Sequence, residues 1–160
     1  MADGDGAEVE RGRGSFIKVL NARLPKKRNI AQALIQDEAG NVLLCELTYK
    51  TDWDLPGGVV DPNESPSTCV AREIQEELGV EVTIGELRAV NWLPPYRGWD
   101  DASLFLFAAG AVEGAFAEAN LLPREIKAIH WVAPADLAAH VAPYTAAMLA
   151  HVLAQPSGTA

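Results

Sequence analysis

An α/β fold, with a mixed β-sheet covered by helices on both faces, is what this 160-residue sequence predicts, and three observations predict it. Apolar runs of β type stand both before and after a single mid-chain helix, that helix has both of its ends written in the sequence, and a second helix rich in Ala and Leu closes the chain. With 49% of its residues apolar, the chain has material for one core and no room for a second full domain.

In chain order, residues 1–14 (MADGDGAEVERGRG) mix Gly with charges and show no periodicity, which predicts a disordered tail. Residues 15–20 read as a strand and 23–29 (RLPKKRN) as a polar loop. Two β-type runs, 30–36 and 41–47, flank Asp37-Glu38-Ala39-Gly40, whose Gly suits a hairpin turn. A short strand over 53–55 is expected to stop at Pro56 and the pair Gly57-Gly58. Residues 80–92 alternate apolar and polar as a half-buried strand does, and 103–112 and 126–132 supply two more. A helical turn or two is expected over 134–139, a helix over 144–153, and a second tail over 154–160, leaving 15–153 as the folded domain.

The mid-chain helix carries the chemistry. Ser65 offers an N-cap hydroxyl, Pro66 fits the first helical position, and Gly79 stands where a left-handed residue ends the helix. At about 100° per residue from Glu73, Glu77 falls near 40° and Glu76 near 300°, so three carboxylates share an arc of roughly 100°. Val70, Ile74 and Leu78 occupy the adjacent arc, which places the acidic edge beside the core. Like charges at this spacing cost a helix a few tenths of a kcal/mol, and the dipole disfavours Glu77 at its C-terminal end. Arg72 can pair with Glu76, but one guanidinium does not neutralise three carboxylates. A divalent cation would, and hard ions such as Mg²⁺ select carboxylate oxygens.

A net charge of −9 argues against a surface that neutralises a nucleic-acid polymer or an anionic membrane. No stretch has the character of a secretory signal or approaches the roughly 20 apolar residues of a membrane helix, so a cytoplasmic location is expected. Cys45 and Cys69 read as two buried thiols with no disulfide. His130, His140 and His151 are each isolated in the sequence and receive no role.

The segment from Gly58 to Val80 resembles the signature of the Nudix hydrolases: G, five residues, E, seven residues, then REUxEExGU with U a bulky aliphatic. Gly58, Glu64, Arg72, Glu73, Ile74, Glu76, Glu77, Gly79 and Val80 fill every fixed position. The resemblance implies the family's Nudix-fold α/β/α sandwich and cleavage of a phosphoanhydride in a nucleoside diphosphate linked to X, with Mg²⁺ as cofactor and Mn²⁺ as a substitute. By motif position it implies Glu76 and Glu77 as metal ligands and Glu73 as ligand or general base. Arg72 would orient Glu73, and Glu64 would support the cluster. Gly57 and Gly58 would let the backbone approach the pyrophosphate, with the Gly57 carbonyl a further ligand. Many members add a carboxylate before the last strand, and Glu125 is the candidate here.

The box leaves X open. Trp53, Tyr96 and Arg97 join Gly58 as candidate substrate contacts. The leading expectation is a nucleoside triphosphate, oxidised or non-standard ones included. An ADP-ribose or other nucleotide-sugar substrate is the second reading, and a non-catalytic nucleotide-binding module the third. The expected partner is a small-molecule nucleotide, and a homodimer is left open.

Overall fold

The computed structural model describes residues 3–156. Its core is a four-stranded mixed sheet in the order β3-β1-β5-β4, built from β1 (Arg28–Leu34), β3 (Gly57–Val59), β4 (Thr83–Leu93) and β5 (Ala102–Gly110). β1 runs parallel to β5, with Ile30 opposite Leu104, and antiparallel to β3, with Gln32 opposite Gly57. Two further strands, β2 (Val42–Leu47) and β6 (Ile126–Val132), form a separate antiparallel pair. The expected hairpin between the first two strands therefore forms at its turn and then splits. Asp37 caps the turn by accepting from the Asn41 backbone N–H at 2.8 Å, Gln36 bridges Val42, and beyond that each strand finds a different partner. The Gly57-Gly58 pair lies inside β3, where the sequence suggested a stop.

The period of two along the strands sorts side chains to two cores. Ala31, Ala33, Ile35, Leu43 and Cys45 face α2 (Pro66–Leu78), which buries Cys69, Val70, Ile74 and Leu78 against them. The alanines let the helix approach closely, and each fully buried Leu or Ile contributes about 1.5–3 kcal/mol. On the other face Leu34, Val42, Leu44, Leu104 and Leu106 pack with Met148, Leu149 and Val152 of α3 (Pro143–Leu153). The helix–sheet–helix layering thus matches the sandwich expected from the sequence.

The N-terminal segment differs from expectation. Asp3–Arg23 is one helix, α1, where a disordered tail over 1–14 and a strand over 15–20 were expected. The apolar residues Phe16, Ile17, Val19 and Leu20 alternate too poorly for a strand. At about 100° per residue, Val9, Phe16, Leu20 and Leu24 fall within about 80° of one another, which is a helical stripe. That stripe is exposed along its length. Residues 1–2 and 157–160 of the two expected tails lie outside the described residues.

Candidate active site

α2 is held at both ends as its sequence dictates. The Ser65 hydroxyl accepts from the Thr68 backbone N–H at 3.2 Å, and Gly79 adopts φ 65°, donating its N–H to the Gln75 carbonyl at 3.0 Å. The last carbonyls of the helix meet a loop: Asn120 N–H donates to the Leu78 carbonyl and Leu122 N–H to that of Glu77, both at 2.8 Å. Thr48 pins the loop from the other side, donating its backbone N–H to the Glu125 carbonyl at 3.0 Å and its hydroxyl to the Arg124 carbonyl at 2.7 Å. By satisfying the orphan carbonyls of α2, the loop brings Glu125 to Glu77.

Arg72 gathers the other acidic residues. Its Nε donates to Glu64 Oε2 at 2.7 Å and its Nη2 to Glu64 Oε1 at 2.9 Å, while Nη1 reaches Glu73 Oε1 at 3.1 Å and Glu76 Oε2 at 3.2 Å. Asp61 lies 3.3 Å from Nη2. The fork holds the Glu64 carboxyl well below its ordinary range, at about 2, with the Asp61 backbone N–H adding to the effect. The expected pairing of Arg72 with Glu76 is therefore present but secondary to Glu64.

Glu77 is pushed the other way. Burial raises it first and the charges of Glu73 and Glu125 add to that, taking it up to about 9. Glu73 is raised as well, by burial against the opposing pull of Arg72. Glu77 thus stands in side-chain hydrogen bonds with both Glu73 and Glu125, whereas Glu76, expected among the ligands, turns out to Arg72 with its side chain 56% exposed. Among the described residues no three acidic, His or Cys side chains stand gathered ready to hold a metal ion. The donor chemistry fits a hard divalent cation, because such a charge would relieve the repulsion that raises Glu77.

The glycine pair makes room for these groups. A Cβ on Gly58 would lie 2.5 Å from Glu73 Cδ, and one on Gly57, whose φ is 149°, would lie 2.0 Å from the Ala31 carbonyl oxygen. Both glycines, with Glu77, line a solvent-open cleft whose lining also includes Arg28, Trp99, Tyr96 and Tyr144. Tyr96 and Trp99 exchange backbone hydrogen bonds across a tight turn in which Arg97 and Gly98 both have positive φ.

Of the expected substrate contacts, Tyr96 lies on the cleft wall, its hydroxyl donating to Asp52 Oδ2 at 3.1 Å. Arg97 pairs with the same Asp52 at 3.4 Å. Trp53 is engaged elsewhere: its ring is stacked between His130 and His140, each with ring centroids 4.0 Å away. Two of the three histidines that looked isolated, His130 and His140, are joined through this ring, a contact with no mark in sequence spacing. Sequence reasoning also missed Gln32, Lys50 and Asp54. Gln32 is 5% exposed in β1, and its Nε2 donates to Asp54 Oδ1 at 3.0 Å.

Comparison with known proteins agrees with this fold. The chain matches the NUDIX domain over residues 26–152. It is 30% identical over 129 residues to nucleoside triphosphatase NudI of Escherichia fergusonii, covering 71% of this chain and 86% of that protein. It is 39% identical over 62 residues to an 8-oxo-dGTP diphosphatase of Proteus vulgaris, a stretch covering 36% of this chain and 55% of that protein. Among solved structures, the MutT protein of Methanosarcina mazei Go1 superposes with a TM-score of 0.67 at 26% identity, covering 81% of this chain and 96% of the other. A complete box, the sandwich that presents it and a match across most of the chain lead to one conclusion: the chain belongs to the Nudix hydrolase family.

Proposed function

We propose that this protein is a Mg²⁺-dependent pyrophosphohydrolase of nucleoside triphosphates, Mn²⁺ serving as a substitute, with water attacking phosphorus in the cleft beside Gly57 and Gly58. The observation that carries the reading is that Glu77, on that cleft, is in contact with Glu73 and Glu125, with Arg72 and Glu64 behind Glu73. Glu73, Glu77 and Glu125 would hold the cation, together with the Gly57 carbonyl, and Glu76 would join on release from Arg72. When bound, the cation supplies positive charge against the phosphate oxygens and makes water easier to deprotonate.

The chain's own groups supply the rest. Arg72 orients Glu73 through Nη1, and the fork to Glu64 fixes the guanidinium so that this contact is directional. Glu73, raised above the ordinary carboxylate range by burial and oriented by Arg72, is the candidate general base. Gly57 and Gly58 make room for the Ala31 carbonyl and the Glu73 side chain on the cleft lining where a pyrophosphate would lie. The length matched in the nucleoside triphosphatase relative supports a triphosphate substrate.

Incubation with nucleoside triphosphates and Mg²⁺ tests the reading by product identity. Nucleoside monophosphate and pyrophosphate are expected, with loss of turnover on chelation. Turnover of ADP-ribose or nucleotide sugars alone would replace the triphosphate reading. Binding without turnover of any of these would leave a non-catalytic module.

For the assembly we propose a homodimer through α1. Pairing of two copies would cover the exposed Val9, Phe16, Leu20 and Leu24 of one α1 segment with those of the other. A cytoplasmic location accords with the free, buried Cys45 and Cys69. Among the described residues no helix is long and apolar enough to cross a membrane.

A further inference from the structure

We infer that Gln32 and Lys50 read the nucleobase and select a base whose edge carries a ring N–H beside a carbonyl, the lactam edge of guanine, hypoxanthine or uracil. The inference deepens the triphosphate reading and rests on it. Residues Arg28, Ile30 and Gln32 alternate along β1 onto the cleft, and Gln32 is 95% removed from solvent there. Its Nε2 is committed to Asp54 Oδ1, and the same oxygen accepts the Leu55 backbone N–H at 2.8 Å. The carbonyl Oε1 of Gln32 is buried and has no partner. A buried acceptor left unpaired costs free energy, so a ligand that brings an N–H to it is favoured.

The second half of the edge follows from the other oxygen of Asp54. Lys50 Nζ lies 3.7 Å from Asp54 Oδ2, so the free acceptor and an ammonium flank one carboxyl group. Lys50 also lies over the rings of Tyr49 and Trp99, and the Arg28 guanidinium stands 5.0 Å from the Trp99 centroid. These rings offer apolar faces at the mouth of the cleft for a flat heterocycle. One of the two N–H groups on Nε2 is engaged with Asp54, and the groups left beside it are the Oε1 acceptor and the Lys50 ammonium, the complement of a ring N–H beside a carbonyl.

The test uses the full chain with Mg²⁺ and five triphosphates: GTP, ITP, ATP, CTP and purine riboside triphosphate, which is ITP without the lactam. The wild-type protein is expected to favour GTP and ITP over the other three by about tenfold or more in kcat/KM, because an unmet buried polar group discriminates strongly. Gln32→Leu, close to the original in volume, is expected to raise KM for GTP and ITP about tenfold with little change in kcat. It is expected to leave purine riboside triphosphate unchanged. Lys50→Met, at a partly exposed position outside the sheet, is expected to narrow the same preference, which keeps the test independent of any folding defect in the strand variant. Equal turnover of all five by the wild type, or an equal loss on ITP and purine riboside triphosphate in Gln32→Leu, overturns the base-reading inference alone. Absence of turnover on all five overturns the triphosphate reading and this inference with it.

Discussion

A Cβ placed on Gly58 would stand 2.5 Å from Cδ of Glu73, whereas one on the neighbouring Gly57 would strike the Ala31 carbonyl oxygen at 2.0 Å. The two adjacent glycines thus guard different things. The obstacle at Gly58 is the flexible end of a side chain, which can swing away, so Gly58→Ala is expected to fold with a change in melting temperature of only a few degrees and to lose at least tenfold in kcat as Glu73 is displaced. Gly57→Ala meets fixed backbone at a positive φ, and a destabilisation of about 2–4 kcal/mol is expected. Thermal unfolding set beside turnover separates the two, and equal losses of both properties in both variants would refute the distinction.

The raised Glu77 makes stability depend on pH with a definite sign. Unfolded, this carboxyl titrates near 4.5; folded, it is held up to about 9 by burial and by Glu73 and Glu125. The folded state therefore binds more protons between these values, and the metal-free protein is expected to lose stability as pH rises through that window. Mg²⁺ competes with the same proton, so its stabilising effect in thermal unfolding is expected to grow from pH 6 to pH 9. In Glu77→Gln both the downward trend and the growing metal effect should shrink, and an unchanged pH profile would count against the assignment.

Glu64 gives the opposite sign. Its carboxyl is depressed to about 2 in the fold, chiefly by the Arg72 fork, so its contribution is complete above about pH 4.5 and is lost as pH falls towards 2. Wild type is expected to lose more melting temperature than Glu64→Gln between pH 5 and pH 2.5. Parallel curves would show that the fork does not couple to folding.

The α1 stripe predicts a concentration-dependent dimer. Phe16→Glu with Leu20→Glu is expected to give the monomer mass in light scattering while leaving kcat/KM within about twofold, since α1 supplies no residue to the cleft. A dimer that survives both substitutions would exclude α1 as the interface.

How much of this was legible beforehand depended on whether the cause was local. The ends of α2 follow from Ser65, Pro66 and Gly79, and its buried face from Val70, Ile74 and Leu78, because caps and periodicity act within a few residues. Glu125 was a candidate by motif position only. What brings it to Glu77 is the need of two helix carbonyls for donors, a demand met 40-odd residues away by Asn120 and Leu122. The split of β1 from β2, and the Gln32–Asp54 pair, depend on which strands become neighbours, which alternation of apolar residues does not encode. α1 was misread because its glycines and charges mask a stripe that only a helical projection reveals.

Trp53 is the sharpest case of a residue whose place the sequence suggested and the fold reassigned. Its ring lies between His130 of β6 and His140 before α3, the Trp53 backbone N–H donates to the His140 carbonyl at 2.8 Å, and Val141 is its bridge partner. The stack ties the segment leading into Gly57 to two other elements, which gives Trp53 a part in the fold. Trp53→Ala is expected to cost about 3–5 kcal/mol, as removal of a large packed ring does. His140→Ala is expected to lower the melting temperature by several degrees while KM for the nucleotide changes by less than about twofold. A large rise in KM with unchanged stability in His140→Ala would instead return Trp53 to the substrate.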